Sequence, residues 1–165
     1  MNGNIEDIVL KMGNTLFRIS FVILCNEQDA QDAVQESFCR YLEKTPSFKD
    51  DEHEKAWFIR ITTNICKDMY RFKMRHPVVD LEELKDYCVA PAVQEIMEEV
   101  MILPQKLKTV IYLFYIEGYS IMEIADILQI SESAVKKRLE RGRKQLRLEI
   151  EGGIVYERKT VKACL

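Results

Sequence analysis

Glycine and proline are scarce in this chain, six and four of 165 residues, and runs of β-branched residues are short. That composition excludes a turn-rich β fold and points to a nearly all-α protein. Long apolar runs are missing too. The longest, Val110 to Ile116, falls far short of the roughly 20 residues a bilayer-spanning helix needs, so no membrane insertion is expected. The only histidines are His53 and His76, both in polar connecting sequence. Cys25, Cys39, Cys66, Cys88 and Cys164 form no C-x-x-C pair, and none stands at ligand spacing from a histidine. Zinc binding is therefore not expected, nor any cofactor. An odd number of scattered thiols fits a reducing compartment, so the expected location is the cytoplasm. The opening MNGNIEDIV is acidic and has no signal-peptide character. No Gly-rich phosphate loop, metal cluster or nucleophile–base arrangement occurs, which argues against an enzyme.

What the chain does have is enough apolar sequence, 47% of residues, to build a core without staples. Its length suits one ordinary domain or two small ones. Charge is unevenly divided. Glu27 to Glu54 carries nine acidic residues against three basic, a net of −6. Arg60 to Arg75 carries five basic residues against one acidic, a net of +4. Asp80 to Glu99 returns to −6, with seven acidic residues against one basic. Ser131 to Leu148 reaches +5, with seven Lys/Arg against two Glu, although the whole chain is −3. Two basic helices in an acidic protein predict contact with nucleic acid at two places and with something else at the acidic faces.

Apolar spacing predicts a first helix over Ile5 to Cys25, with Gly13 a candidate break. A second helix is predicted from Ala30 to Lys44, capped by Asp29. Its inner stripe is Ala33, Val34, Ser37, Phe38, Tyr41 and Leu42, and its outer face is Asp32, Gln35, Glu36 and Arg40. Pro46 to Glu54 reads as a polar loop whose one large apolar residue is Phe48. A third, basic helix is predicted from Lys55 to Met74, with Trp57, Phe58, Ile61, Ile65 and Met69 inward. Thr62 and Thr63 are mediocre helix formers there, and their hydroxyls are candidates to face a groove or a ligand. Residues 78–93 read as an acidic linker after His76-Pro77. A second helical domain then begins, with Ile96, Val100 and Leu103 inward. Pro104 opens a helix to Ile116, which Gly118 terminates.

The sequence that follows has the form of a helix-turn-helix. Ser120 and Glu123 make a capping box for a short helix from Ile121 to Leu128. Gln129-Ile130 makes the turn, and Ser131 caps a second helix. Val135, Leu139, Gly142 and Leu146 lie on its inward stripe. Such a helix fits the major groove and reads base edges with its N-terminal residues. Lys136 and Lys137 are the candidate base readers, beside Ser131 and Ser133. Arg138, Arg141 and Arg143 suit phosphates. The expected architecture is thus all-α: two small helical domains, residues 1–77 and 94–151, the linker 78–93, and a tail over 152–165.

These features together resemble the extracytoplasmic-function sigma factors of bacterial RNA polymerase. In the first domain the likeness rests on Asp32, Gln35, Glu36 and Phe38, similar to the family's D-x-x-Q-E-x-F pattern. It rests also on Trp57, Arg60, Ile61, Asn64, Asp68 and Arg71, similar to W-x-x-R-I-x-x-N-x-x-x-D-x-x-R. In the second it rests on Leu103-Pro104, Gly118-Tyr119-Ser120, Glu123-Ile124-Ala125 and the run from Ser131 to Leu146. The resemblance implies that Asp32, Gln35 and Glu36 dock on core RNA polymerase. It implies that Phe48, Arg60, Asn64, Lys67 and Arg71 engage the promoter minus-ten element, where one base is flipped out. The last helix would read the minus-thirty-five duplex, and an anti-sigma factor is an expected partner. Thr62-Thr63, Glu140 and Gly142 depart from the family's usual residues. A free-standing helix-turn-helix regulator is the competing reading; it would bind DNA without polymerase.

Overall fold

The computed structural model describes residues 5–44, 46–72 and 100–146, which are helical throughout apart from short connections. The chain divides into two compact units, Met1–Val79 and Asp80–Leu165. The predicted linker, the C-terminal tail, Ile96 and Arg147 lie outside the described residues.

The first unit is a bundle of three helices: α1 (Ile5–Leu24), α2 (Glu27–Lys44) and α3 (Asp51–Phe72). Helix α1 supplies the densest apolar stripe: Ile8, Met12, Leu16, Ile19 and Ile23 are buried. Each such side chain contributes about 1.5–3 kcal/mol by leaving water. The helix passes through Gly13 without a break, because this stripe packs on both α2 and α3. Cys25 ends it in a left-handed conformation, φ 54°.

Helix α2 starts earlier than the sequence implies. Asn26, not Asp29, is the cap: its Oδ1 accepts the Asp29 amide at 2.9 Å, and Asp29 lies buried in the first turn. The inward stripe is Ala30, Ala33, Ser37 and Tyr41, with Val34 and Phe38 half-buried. Leu42, predicted inward, is 56% exposed because it lies a step past the Tyr41 stripe.

Helix α3 also starts earlier, at Asp51. Asp50 Oδ1 accepts the His53 amide at 2.7 Å and caps the helix, which shortens the preceding loop. Lys11 donates to Asp51 at 2.7 Å and ties this first turn to α1. The pair raises the Lys11 pKa and lowers that of Asp51. The buried face is Phe58, Ile59, Thr62, Thr63, Ile65 and Cys66, rotated from the predicted stripe so that Ile61 and Met69 are half-buried. Thr62 and Thr63 therefore face neither groove nor ligand; both are 0% exposed. Thr63 donates to the Ile59 carbonyl, four residues back. Thr62 Oγ1 lies 2.7 Å from Ser37 Oγ, whose own proton goes to the Ala33 carbonyl. Thr62 is thus the donor across the α2–α3 interface.

In the second unit, residues 100–102 are helical, and Val100, Met101 and Leu103 are buried. Helix α4 (Gln105–Ile111) begins after Pro104, which sits at the N-cap rather than inside the first turn. From Tyr112 to Ile116 the helix widens to π geometry. The Glu117 amide reaches back to the Tyr112 carbonyl at 3.1 Å, and the Tyr112 hydroxyl donates to Glu117 Oε1 at 2.9 Å in the core. Gly118, φ 75°, turns the chain into α5 (Ile121–Leu128). The capping box forms: the Glu123 amide donates to Ser120 Oγ at 3.3 Å, and the Ser120 amide to Glu123 Oε2 at 2.7 Å. Ile124, Ala125, Ile127 and Leu128 are buried, and Ile121 is half-buried.

Gln129, φ 54°, makes the left-handed turn, and Ser131 caps α6 (Glu132–Gln145) by accepting the Ala134 amide at 3.2 Å. Val135, Leu139 and Gly142 are buried along α6, with Leu146 half-buried just beyond it. At Gly142 α6 packs closely on α4. A Cβ there would meet Ile111 Cγ1 at 2.7 Å and Cδ1 at 2.9 Å. The glycine at this position, one of the departures noted in the sequence, thus has a steric reason.

Candidate nucleic-acid interface

The second unit presents α6 as an amphipathic rod. Its buried side is held by Val135, Leu139 and Gly142. Ser131, Ser133, Lys136, Lys137 and Arg141 are exposed, and Arg138 and Arg143 are half-exposed on its flanks. Ser131 Oγ and Ser133 Oγ lie 3.0 Å apart at the N-terminal end. Glu140 is exposed among the cations. A helix rises ~1.5 Å per residue, which puts Lys136 and Lys137 ~6–8 Å from the start of α6 and Arg141 and Arg143 ~13–17 Å from it. A major groove is about 8.5 Å deep. In an end-on approach that spacing would bring the two lysines nearer the base edges and the arginines nearer the sugar–phosphate rim.

Lys136, Lys137, Arg138, Arg141 and Lys144 have no polar partner among the described residues. Arg143 differs: its Nη1 donates to the Tyr115 hydroxyl at 3.3 Å. Tyr115 lies on the π turn, in edge contact with Phe114 at 5.0 Å between centroids.

In the first unit, Arg60, Asn64, Lys67 and Arg71 recur at steps of four, three and four residues, so they share one face of α3. Asn64 and Arg71 are exposed, and Arg60 and Lys67 are half-exposed. Arg71 also reaches Asp68 at 3.2 Å, an exposed pair that leaves the guanidinium available. The same face continues toward the N-terminus through Trp57 and His53. Phe48 is brought against its upper end: its ring lies 5.8 Å from Trp57, 5.5 Å from His53 and 6.3 Å from Tyr41, on which it stacks. The fold thus packs the loop residue Phe48 on α3 through His53 and Trp57, and on Tyr41 of α2.

His53 was not foreseen in this group. Only the capping by Asp50 brings it into the helix, and the Asp50-Asp51 pair was the available signal. Trp57, Phe58 and Tyr41 form the inner wall of the cluster, with ring centroids 5.1–6.1 Å apart. Burial, and then Glu54, raise the Tyr41 pKa.

On α2, Asp32, Gln35 and Glu36 are all exposed, on the side away from Ala33 and Ser37. Asp32 accepts from Gln28 at 3.1 Å, and Glu36 pairs with Arg40 at 2.8 Å. Such exposed pairs add little to stability, so the face remains available to a partner.

Two basic helix faces and one acidic face, in two helical units, agree with comparisons with known proteins. Residues 8–76 match the family model for sigma-70 region 2, and residues 93–146 match that for sigma-70, region 4. The chain therefore has the two-region form of a sigma-70 protein. It is 31% identical over 163 residues to the ECF RNA polymerase sigma factor SigW of Bacillus subtilis (strain 168), covering 87% of each. It is 30% identical over 141 residues to the RNA polymerase sigma factor SigV of the same organism, covering 81% of this chain and 83% of that one. The structure of CnrH in complex with the cytosolic domain of CnrY superposes with a TM-score of 0.65 at 27% identity, over 88% of each chain. The sigma factor RpoE of Bartonella quintana, solved with the anti-sigma factor NepR, shares the fold with a TM-score of 0.67 at 20% identity, over 89% of this chain and 98% of that one. The chain belongs to the extracytoplasmic-function sigma factors of the sigma-70 family.

Proposed function

We propose that this sigma factor divides its work among three helix faces, one for core polymerase and two for the promoter. It binds core RNA polymerase and directs promoter recognition, DNA melting and transcription initiation. Within that activity, Asp32, Gln35 and Glu36 on α2 dock on the polymerase. Phe48, Arg60, Asn64, Lys67 and Arg71 engage the opened minus-ten element. An unstacked base needs an apolar wall and an amide to read its edge, and Phe48 and Asn64 supply those groups. Ser131, Ser133, Lys136, Lys137, Arg138, Arg141 and Arg143 bind the minus-thirty-five duplex. The working parts are residues 1–77 and 94–151, joined by 78–93, with a tail over 152–165.

The protein carries out no catalysis of its own and acts in the cytoplasm. Among the described residues no helix is long and apolar enough to cross a membrane. An anti-sigma factor is its further partner. Support for this comes from the family resemblance; the similar CnrH was solved in complex with a second protein, the cytosolic domain of CnrY.

The observation that carries the assignment is the capped helix-turn-helix, with partner-free lysines at the entering end of α6 and arginines at its rim. Run-off transcription with purified core polymerase on a genomic promoter pool tests it. Transcripts from a restricted set of promoters, dependent on the chain, are expected. Tight duplex binding by the chain alone, without polymerase-dependent transcripts, would replace it with a free-standing regulator.

A further inference from the structure

We infer that Tyr115 is a positioning residue for DNA binding: its hydroxyl holds the Arg143 guanidinium at the rim of α6, aimed at a backbone phosphate. This rests on the reading of Arg143 as a phosphate contact. Three observations converge on the pair.

Arg143 is the one basic side chain of α6 with a polar partner among the described residues, at 3.3 Å from the Tyr115 hydroxyl. That partner is neutral and accepts a single bond, so the guanidinium keeps its charge and its other N–H donors for a phosphate. An acidic partner in the same place would have neutralised it.

The placement is built by the fold. Gly142, the preceding residue, lets α6 approach α4 until a Cβ would overlap Ile111. The π turn that follows α4 carries Tyr115 at a half-buried position, braced edge-on by Phe114.

The position is right for phosphate and wrong for bases. Arg143 lies ~17 Å along α6 from its start, about twice the depth of a major groove. A long flexible arginine loses rotamer freedom on binding. Held by Tyr115 beforehand, it loses less. Among the described residues nothing restrains Arg138 and Arg141 in this way.

Purified holoenzyme on a promoter selected by run-off transcription, titrated across a salt series, provides the test. Four proteins are compared: wild type, Tyr115→Phe, Arg143→Ala and the double variant. Arg143→Ala is expected to lower the slope of log affinity against log salt by about 1. Tyr115→Phe keeps the ring and loses one hydrogen bond, and is expected to weaken binding about two- to tenfold with unchanged thermal unfolding. In the Arg143→Ala background the Tyr115→Phe effect should vanish. A Tyr115→Phe loss that persists there, or no loss at all in the wild-type background, overturns the positioning role while leaving the phosphate contact standing. An Arg143→Ala variant with wild-type affinity and slope removes the phosphate contact itself, and the inference with it.

Discussion

Replacing Gly142 by alanine should destabilise the second unit, whereas the same replacement at Gly13 should stabilise the first. Both glycines are interior to helices, α6 and α1. Alanine is the better helix former by about 1 kcal/mol, so propensity alone predicts a gain at both sites. Surroundings separate them. At Gly13 an added Cβ meets no described atom within 4 Å. At Gly142 it meets Ile111 at 2.7 and 2.9 Å, roughly 1 Å inside an ordinary carbon–carbon contact of about 3.5–4.0 Å. Ile111 is 1% exposed and has nowhere to retreat. Overpacking of this kind costs about 1–3 kcal/mol. Subtracting the propensity gain leaves a net loss of about 1 kcal/mol at Gly142, against a gain of about 0.5–1 kcal/mol at Gly13. Hydrogen exchange read by mass spectrometry resolves the two units separately. Exchange should quicken in α6 for Gly142→Ala and slow in α1 for Gly13→Ala. Removing the opposing side chain should reverse the sign: in an Ile111→Ala background, itself costly, Gly142→Ala should become stabilising because it fills part of the cavity. Slower exchange in α6 for the Gly142→Ala single variant would refute the steric account.

Three further outcomes are expected. Lys136→Ala or Lys137→Ala should cost about 1–3 kcal/mol at particular minus-thirty-five positions, whereas Arg141→Ala should weaken all sequences alike and flatten the salt dependence, read by competition binding with holoenzyme; equal losses for all three would contradict the division into base readers and phosphate contacts. Asp32→Ala with Glu36→Ala should leave melting nearly unchanged yet strongly reduce co-purification with core polymerase, since these charges are exposed; wild-type recovery would defeat the docking assignment. Burial pushes the Cys66 thiol up to about 12, while Cys39 is exposed. At pH 8 alkylation should therefore mark Cys39 and spare Cys66, and because the unfolded thiol ionises near its ordinary 9.0 while the folded one holds its proton, Cys66 should make stability fall as pH rises from about 9 toward 12. Rapid alkylation of Cys66 in the folded protein would count against its burial.

Local signals were legible wherever one residue acts on its near neighbours. Ser120 with Glu123, Ser131 at the head of α6, and Gly118 before α5 are read correctly because capping and left-handed turns are settled within a few residues. The stripe Val135, Leu139 and Gly142 is legible for the same reason. Competing caps were not. Asn26 and Asp29 both suit an N-cap, as do several residues between Asp50 and Glu54, and only packing selects among them. That choice moved the start of α3 forward and hid His53.

The burial of Thr62 and Thr63 was hidden for a different reason. A hydroxyl can be satisfied by a carbonyl in its own helix or by a facing serine, and sequence does not say that Ser37 stands opposite. The π turn has no compositional mark at all, and the contact between Gly142 and Ile111 exists only once two helices have met. For the candidate interface, the exposed charges were legible from periodicity, while the joining of Phe48 to α3 and of Arg143 to Tyr115 required the tertiary fold.

The hydroxyl pair between Ser37 and Thr62 fixes the register between two helices that carry different surfaces. Ser37 belongs to the helix whose outer side carries Asp32, Gln35 and Glu36; Thr62 belongs to the helix that carries Arg60, Asn64 and Lys67. Sliding either helix by one turn would break a buried pair and cost about 1–3 kcal/mol for each group left unsatisfied, in addition to the packing lost. An apolar interface alone would tolerate such a slip more cheaply. On the proposed contacts the bundle would work as a rigid gauge block: with the polymerase on one side, the distance and angle to the nucleotides on the other would already be set. A lengthening of that gauge would show as a displaced start site, with no change in which promoters are chosen.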